Sequence, residues 1–226
     1  MPEKLQKKSQ KSHPVVFQFK IYVALSFPLH GMTPKQTERL KKKIAAVKRA
    51  LAAEKKKFGG YDDSRGLRWL PTKYYVQMED YSGGLAYTKW FSKNFPDDVG
   101  FPDFLFEWTI ILYKNGRLMA AGQKAFQTYC ANTYLFDKFF GRSIVPIDKW
   151  EGSNLEAASF TDYFNYSTKQ KELEDFANWL SSFISSERFI ELSDKYIEIN
   201  KRLKTETDRE TRHYLVLQES QLKASF

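Results

Sequence analysis

Three histidines, one cysteine and two adjacent aspartate pairs are the residues of this chain best suited to chemistry, and their spacing argues against most of it. His13, His30 and His213 stand far apart, and none has a second His or Cys at metal-ligand spacing, so no zinc or iron site is expected. Cys130 lies between Tyr129 and Ala131. A nucleophilic thiol needs a base and a lowered pKa, and nothing nearby offers either, so a small buried hydrophobe is expected. Asp62–Asp63 and Asp97–Asp98 could share acid–base work or hold a cation. Both pairs fall in turn-rich stretches, where Asp side chains cap the backbone. Gly83–Gly84 lacks the further Gly and the Lys of a phosphate cradle. The reading therefore assigns no catalytic residue, no metal ligand and no cofactor.

Cationic side chains are the other chemical resource. The 226 residues carry a net charge of +9, unevenly placed. Residues 1–58 hold 15 Lys/Arg and 3 acids, while the remainder holds 21 basic and 24 acidic residues. Within the first part, Lys41, Lys48 and Lys55 recur every seventh residue, as do Lys42, Arg49 and Lys56. Such rows are either a solvated helix face or a surface for phosphates or an acidic partner. Aromatic residues for base stacking are missing between Lys41 and Lys56, where these rows lie, which argues against sequence-specific reading.

The elements that must position these residues read as mostly helical. Residues 1–14 are Lys, Gln and Ser with little that is apolar, and are expected to be a disordered basic tail. Val15 to Phe27 alternates as a strand would, yet Phe17, Ile21, Ala24 and Leu25 also share a helical face; both readings stand. Thr33–Pro34 opens a helix that Gly59–Gly60 closes, with Leu40, Ile44, Val47, Leu51 and Phe58 as its apolar stripe. Residues 141–160 form a long irregular loop. Residues 161–226 return to helix, with capping-box spacing at Ser167/Gln170 and Thr207/Glu210. Packed core is not in short supply, with 37 aromatics; the single Cys fits a reducing compartment, and no apolar run is long enough to span a bilayer. A cytoplasmic protein is expected.

Between 61 and 140 one pattern is written twice. Tyr75 precedes Gly84 by nine residues, Gly84 precedes Pro96 by twelve, and Leu112 precedes Ala121 by nine, an offset of 37 residues between copies. Tyr81 to Leu85 and Leu118 to Gly122 each place two small residues side by side, as closely approaching helices require. The rival is a β-hairpin, with β-prone Thr109 to Tyr113 before Asn115–Gly116. That run does not alternate, and Ala120 to Ala125 favours helix. The doubled pattern resembles the tetratricopeptide repeat, a pair of antiparallel helices of about 34 residues.

The fold expected is thus all-α: stacked antiparallel helical hairpins with a basic N-terminal appendage that either contains one strand or does not. The resemblance implies a groove lined by the first helix of each hairpin, with contacts at Trp69, Lys73 and Gln77 and at Phe106, Tyr113 and Lys114. Trp69, Lys73 and Gln77 also share one helical face by spacing alone. Three functions follow as expectations. The first is a non-enzymatic module binding a protein or peptide. The second is association with nucleic acid through residues 1–58, using Lys41, Lys42, Lys48, Arg49, Lys55 and Lys56. The third is a small enzyme with its site on the 141–160 loop, beside Asp148 and Lys149.

Overall fold

The computed structural model describes residues 32–226 except Asp62. The tail, the strand-or-helix segment Val15 to Phe27, His13 and His30 lie outside the described residues. Within them the chain is all helical, with no strand, and each helix packs against its neighbours.

Helix α1 spans Pro34–Phe58. Its start follows from Thr33, whose backbone N–H donates to the Gln36 side chain at 2.8 Å while its hydroxyl accepts from the Gln36 N–H. Gly59, at φ 75°, takes the left-handed conformation that ends it. Leu40, Ile44, Val47 and Leu51 are buried against the following helices. Phe58 is 58% exposed, so the buried stripe stops at Leu51, about two turns earlier than its spacing predicts.

Two helix pairs follow. A 3-10 turn, Leu67–Trp69, leads into α2, Leu70–Gln77, which pairs with α3, Tyr81–Asn94. Next, α4, Pro102–Lys114, pairs with α5, Leu118–Ala131. The β-hairpin alternative at Thr109 to Ala125 is not formed; Asn115–Gly116 is the inter-helix turn, with Gly116 at φ 69°. The small residues work as neighbours with different jobs. At Gly83 a Cβ would meet the Tyr75 ring on α2 at 2.7 Å, and at Gly84 it would meet Ile111 on α4 at 2.8 Å. Gly83, not Gly84, therefore closes its own pair, and Gly84 admits the next one. Ala121 is fully buried, and beside it Gly122 approaches Phe183, where a Cβ would lie 2.9 Å from the ring. Phe183 belongs to α7, so the second small residue of each pair again meets a later helix.

A short α6, Leu135–Phe140, is followed by a long irregular segment, a 3-10 turn Ala158–Tyr163, and helices α7 (Glu174–Ile184), α8 (Glu187–Thr205) and α9 (Arg209–Ala224). The irregular segment is bound down at both ends. Asn132 donates its amide to the carbonyls of Leu155 and Ala157, the Tyr134 hydroxyl accepts from the Ile147 N–H, and Trp150 N–H donates to the Asn200 carbonyl on α8. Two helix starts differ from the spacing read in the sequence. Ser167 and Gln170 do bond, but a 3-10 turn at Lys171–Leu173 intervenes before α7. The cap of α9 is Asp208, whose carboxylate accepts from the Thr211 N–H, one residue beyond the Thr207/Glu210 pair.

The main core centres on Phe106 of α4, which is fully buried. Its ring lies 4.9 Å from Phe164, 5.1 Å from Phe139, 5.4 Å from Tyr166 and 5.6 Å from Phe176, centroid to centroid. Those partners come from α6, α7 and the segment before α7. One side chain thus joins the second helix pair to the C-terminal third.

Candidate functional site

The six groove residues separate into two groups. On α4 the chain has filled the face itself. Phe106 is sealed in the core just described. The Tyr113 ring lies against Phe176 and Trp179, and its hydroxyl donates to the Asp175 carbonyl at 3.1 Å. Lys114 donates to the Glu172 carbonyl at 2.7 Å and pairs with the Asp175 carboxylate. Sequence spacing could not reveal this covering, because it comes from residues some 60 positions downstream. Phe106, Tyr113 and Lys114 are therefore contacts to α7, not to an outside peptide, in this conformation.

On α2 the face stays accessible. Trp69, Lys73 and Gln77 are each partly exposed. Asp63 accepts from the Leu67 and Arg68 N–H groups at 2.8 and 2.7 Å and so starts the 3-10 turn that carries Trp69. The Arg68 guanidinium spans two loops: it bonds the Asp63 carbonyl at 2.9 Å and the Asp98 carboxylate. It also lies over the Trp69 ring at 3.9 Å. The indole N–H donates to Asp98 at 3.3 Å, and Phe101 rests against the ring, 4.3 Å between centroids. Asp63 and Asp98 thus hold backbone, guanidinium and indole in place. Outside this clamp lies a shallow open depression bordered by Trp69, Phe95, Pro96 and Val99, the last 85% exposed.

Between α2 and α4 lies a polar cluster the sequence reading passed over. Glu107 is fully buried, and desolvation pushes its carboxyl up to about 8. Hydrogen bonds from Thr72 and Tyr166 and the charge of Lys73 pull the other way, while Asp103 adds to the rise. Asp103, one turn earlier on α4, is pushed up to about 6 by burial, against the pull of Lys73. The Thr72 hydroxyl lies 2.6 Å from Glu107 Oε2 and 3.0 Å from the Trp69 carbonyl. One hydroxyl has one hydrogen. If it goes to the carbonyl, which can only accept, then Glu107 must carry the proton of the shorter bond. The raised pKa agrees with this assignment. The signal in the sequence was a pair of acids at i, i+4 inside an otherwise apolar run.

The six cations of α1, Lys41, Lys42, Lys48, Arg49, Lys55 and Lys56, are all exposed. Lys48 donates to the Tyr75 hydroxyl at 3.2 Å, and Lys55 reaches Asn94 at 3.4 Å beside the Tyr61 ring. The other four make no ion pair with described residues.

Elsewhere, burial pushes the Cys130 thiol well up, the reverse of nucleophile activation. On the loop, Lys149 is buried beside Glu151, and Asp148 pairs with Lys204. Lys124 lies 3.9 Å from the centre of the Trp108 ring, and desolvation lowers its amine to about 8. No group of His, Cys, Asp and Glu that could hold a metal occurs among the described residues, and no described helix is long and apolar enough to cross a membrane. No protein-family model matches this chain, and comparison with curated proteins and with solved structures finds no match either.

Proposed function

We propose that this chain is a non-enzymatic interaction module, related in design to tetratricopeptide-type helical hairpins, and that it holds a protein or peptide partner on the α2 side of its groove. The observation that carries the reading is Trp69: a large aromatic fixed by Arg68, Asp98 and Phe101 yet still partly open, beside an exposed Val99. A partly exposed aromatic held in place by its neighbours is the kind of residue that dominates binding energy, because it offers area without losing much conformational freedom. Lys73 and Gln77 continue the same face and supply polar contacts that set register.

The test is a random-sequence peptide library selected on the full chain, with enriched peptides measured against Val99→Glu and Trp69→Ala. Enriched peptides should lose at least about tenfold in affinity with either variant, on the scale of one anchor contact. Val99→Glu alters only an exposed position, so its stability should match the parent. Enrichment of no peptide, or binding indifferent to both substitutions, would remove the α2 face as the site.

A further inference from the structure

We propose that the outward face of α1 is a second, independent site, which takes the phosphate backbone of nucleic acid without reading its sequence. Lys35 extends the row of Lys42, Arg49 and Lys56, giving four cations at seven-residue intervals along one 25-residue helix. Seven helical residues rise roughly 10.5 Å, so the row covers about 31 Å. All four side chains are exposed, and none makes a hydrogen bond or ion pair with a described residue. The helix has ten Lys/Arg against two acids, and one of those, Glu54, turns aside to Arg65 at 3.8 Å.

Three kinds of anionic partner could answer such a row, and the structure separates them. A membrane-surface helix must insert its apolar stripe among lipids. Here Leu40, Ile44, Val47 and Leu51 are buried against the protein. An acidic protein surface would be held by an apolar or aromatic centre with charges at the rim. The outward face of α1 offers no large apolar residue before Phe58 at its very end. A linear polyanion needs neither. It needs exposed, unpaired cations in a row, and gains from counterion release at each one. The capping box at Thr33 and the Gly59 terminus keep α1 helical over its whole length.

The site does not depend on Trp69, and its test distinguishes the two readings. Binding of the full chain to a short mixed-sequence duplex is followed by fluorescence anisotropy across roughly 50 to 200 mM salt. Poly-glutamate and phosphatidylserine vesicles serve as competitors, and Val99→Glu as the control for the α2 face. The parent and Val99→Glu should bind alike. The combined Lys35→Gln, Lys42→Gln, Arg49→Gln and Lys56→Gln variant should flatten the log–log salt slope by about 3 to 4. A variant with the three lysines changed to Arg should retain the slope, showing that charge, not fold, was lost. Absence of duplex binding at the lowest salt, an unchanged slope in the Gln variant, or preferential competition by poly-glutamate or vesicles would each overturn the proposal.

Discussion

Tyr166, in the segment before α7, donates its phenol to Glu107 of α4 at 2.8 Å, inside a core of aromatic and aliphatic side chains. This bond links a segment without regular structure to the middle of the second helix pair. It also makes stability depend on pH. Glu107 is raised from 4.5 to about 8 in the folded chain, so between those values the folded state binds the extra proton. Stability should therefore be highest below about pH 4.5 with respect to this group, and fall as pH rises through 8. The slope limit for one group is about 1.4 kcal/mol per pH unit. Glu107→Gln keeps the shape and cannot ionise. Urea unfolding at pH 6 and pH 9 should show the variant gaining on the parent at the higher pH. A gap between the two that does not change with pH would exclude a proton on Glu107.

The close approach of α4 and α5 should not accept bulk. Ala121 is fully buried, and Ala121→Leu adds three carbons where no space exists. Destabilisation of about 1–3 kcal/mol is expected from overpacking. Thermal unfolding would show it directly, and an unchanged melting temperature would contradict the arrangement described here.

Removing the central ring should do more. Phe106→Ala empties the position where α4, α6, α7 and the Phe164–Tyr166 segment meet. A loss of about 3–5 kcal/mol is expected, measured by denaturant unfolding. Proteolysis should then open the Phe164–Tyr166 segment earlier than in the parent, because its ring contacts to Phe106 have gone.

Lys124 offers a chemical readout. Its amine is lowered to about 8 by desolvation, and its Nζ donates to Gln127 at 2.6 Å over the Trp108 ring. In trace acetylation across a pH series, analysed by mass spectrometry, its rate should reach half-maximum near pH 8. A half-maximum near about 10.4, the value of a free lysine side chain, would show that the ring and burial do not shift it.

What the sequence made legible was whatever is encoded locally. The bounds of α1 are written in Thr33–Pro34 and Gly59–Gly60, and the helical nature of Thr109 to Ala125 in its composition. Paired helices between 61 and 140 could be read from small residues at matching intervals, although Gly83 and Gly84 exchanged the duties spacing suggested. Phe164 and Tyr166 could not be placed in that way. They sit outside any helix, and their burial against Phe106 depends on a contact with no periodicity to announce it. The same absence of a local signal holds for the α4 half of the expected groove: Trp69, Lys73 and Gln77 obey helical spacing and stay partly exposed, whereas Tyr113 and Lys114 are covered by Glu172, Asp175, Phe176 and Trp179.

Arg68 ties two loops that lie far apart in the chain, through Asp63 on one side and Asp98 on the other. A single guanidinium shared in this way makes the two loops one unit for local opening. Amide exchange at Leu67 and at Gly100, whose N–H groups bond those same two carboxylates, should report a common opening event. The rim of the Trp69 depression would then loosen or hold as a whole, and a partner that stiffened one loop would quiet the other without touching it.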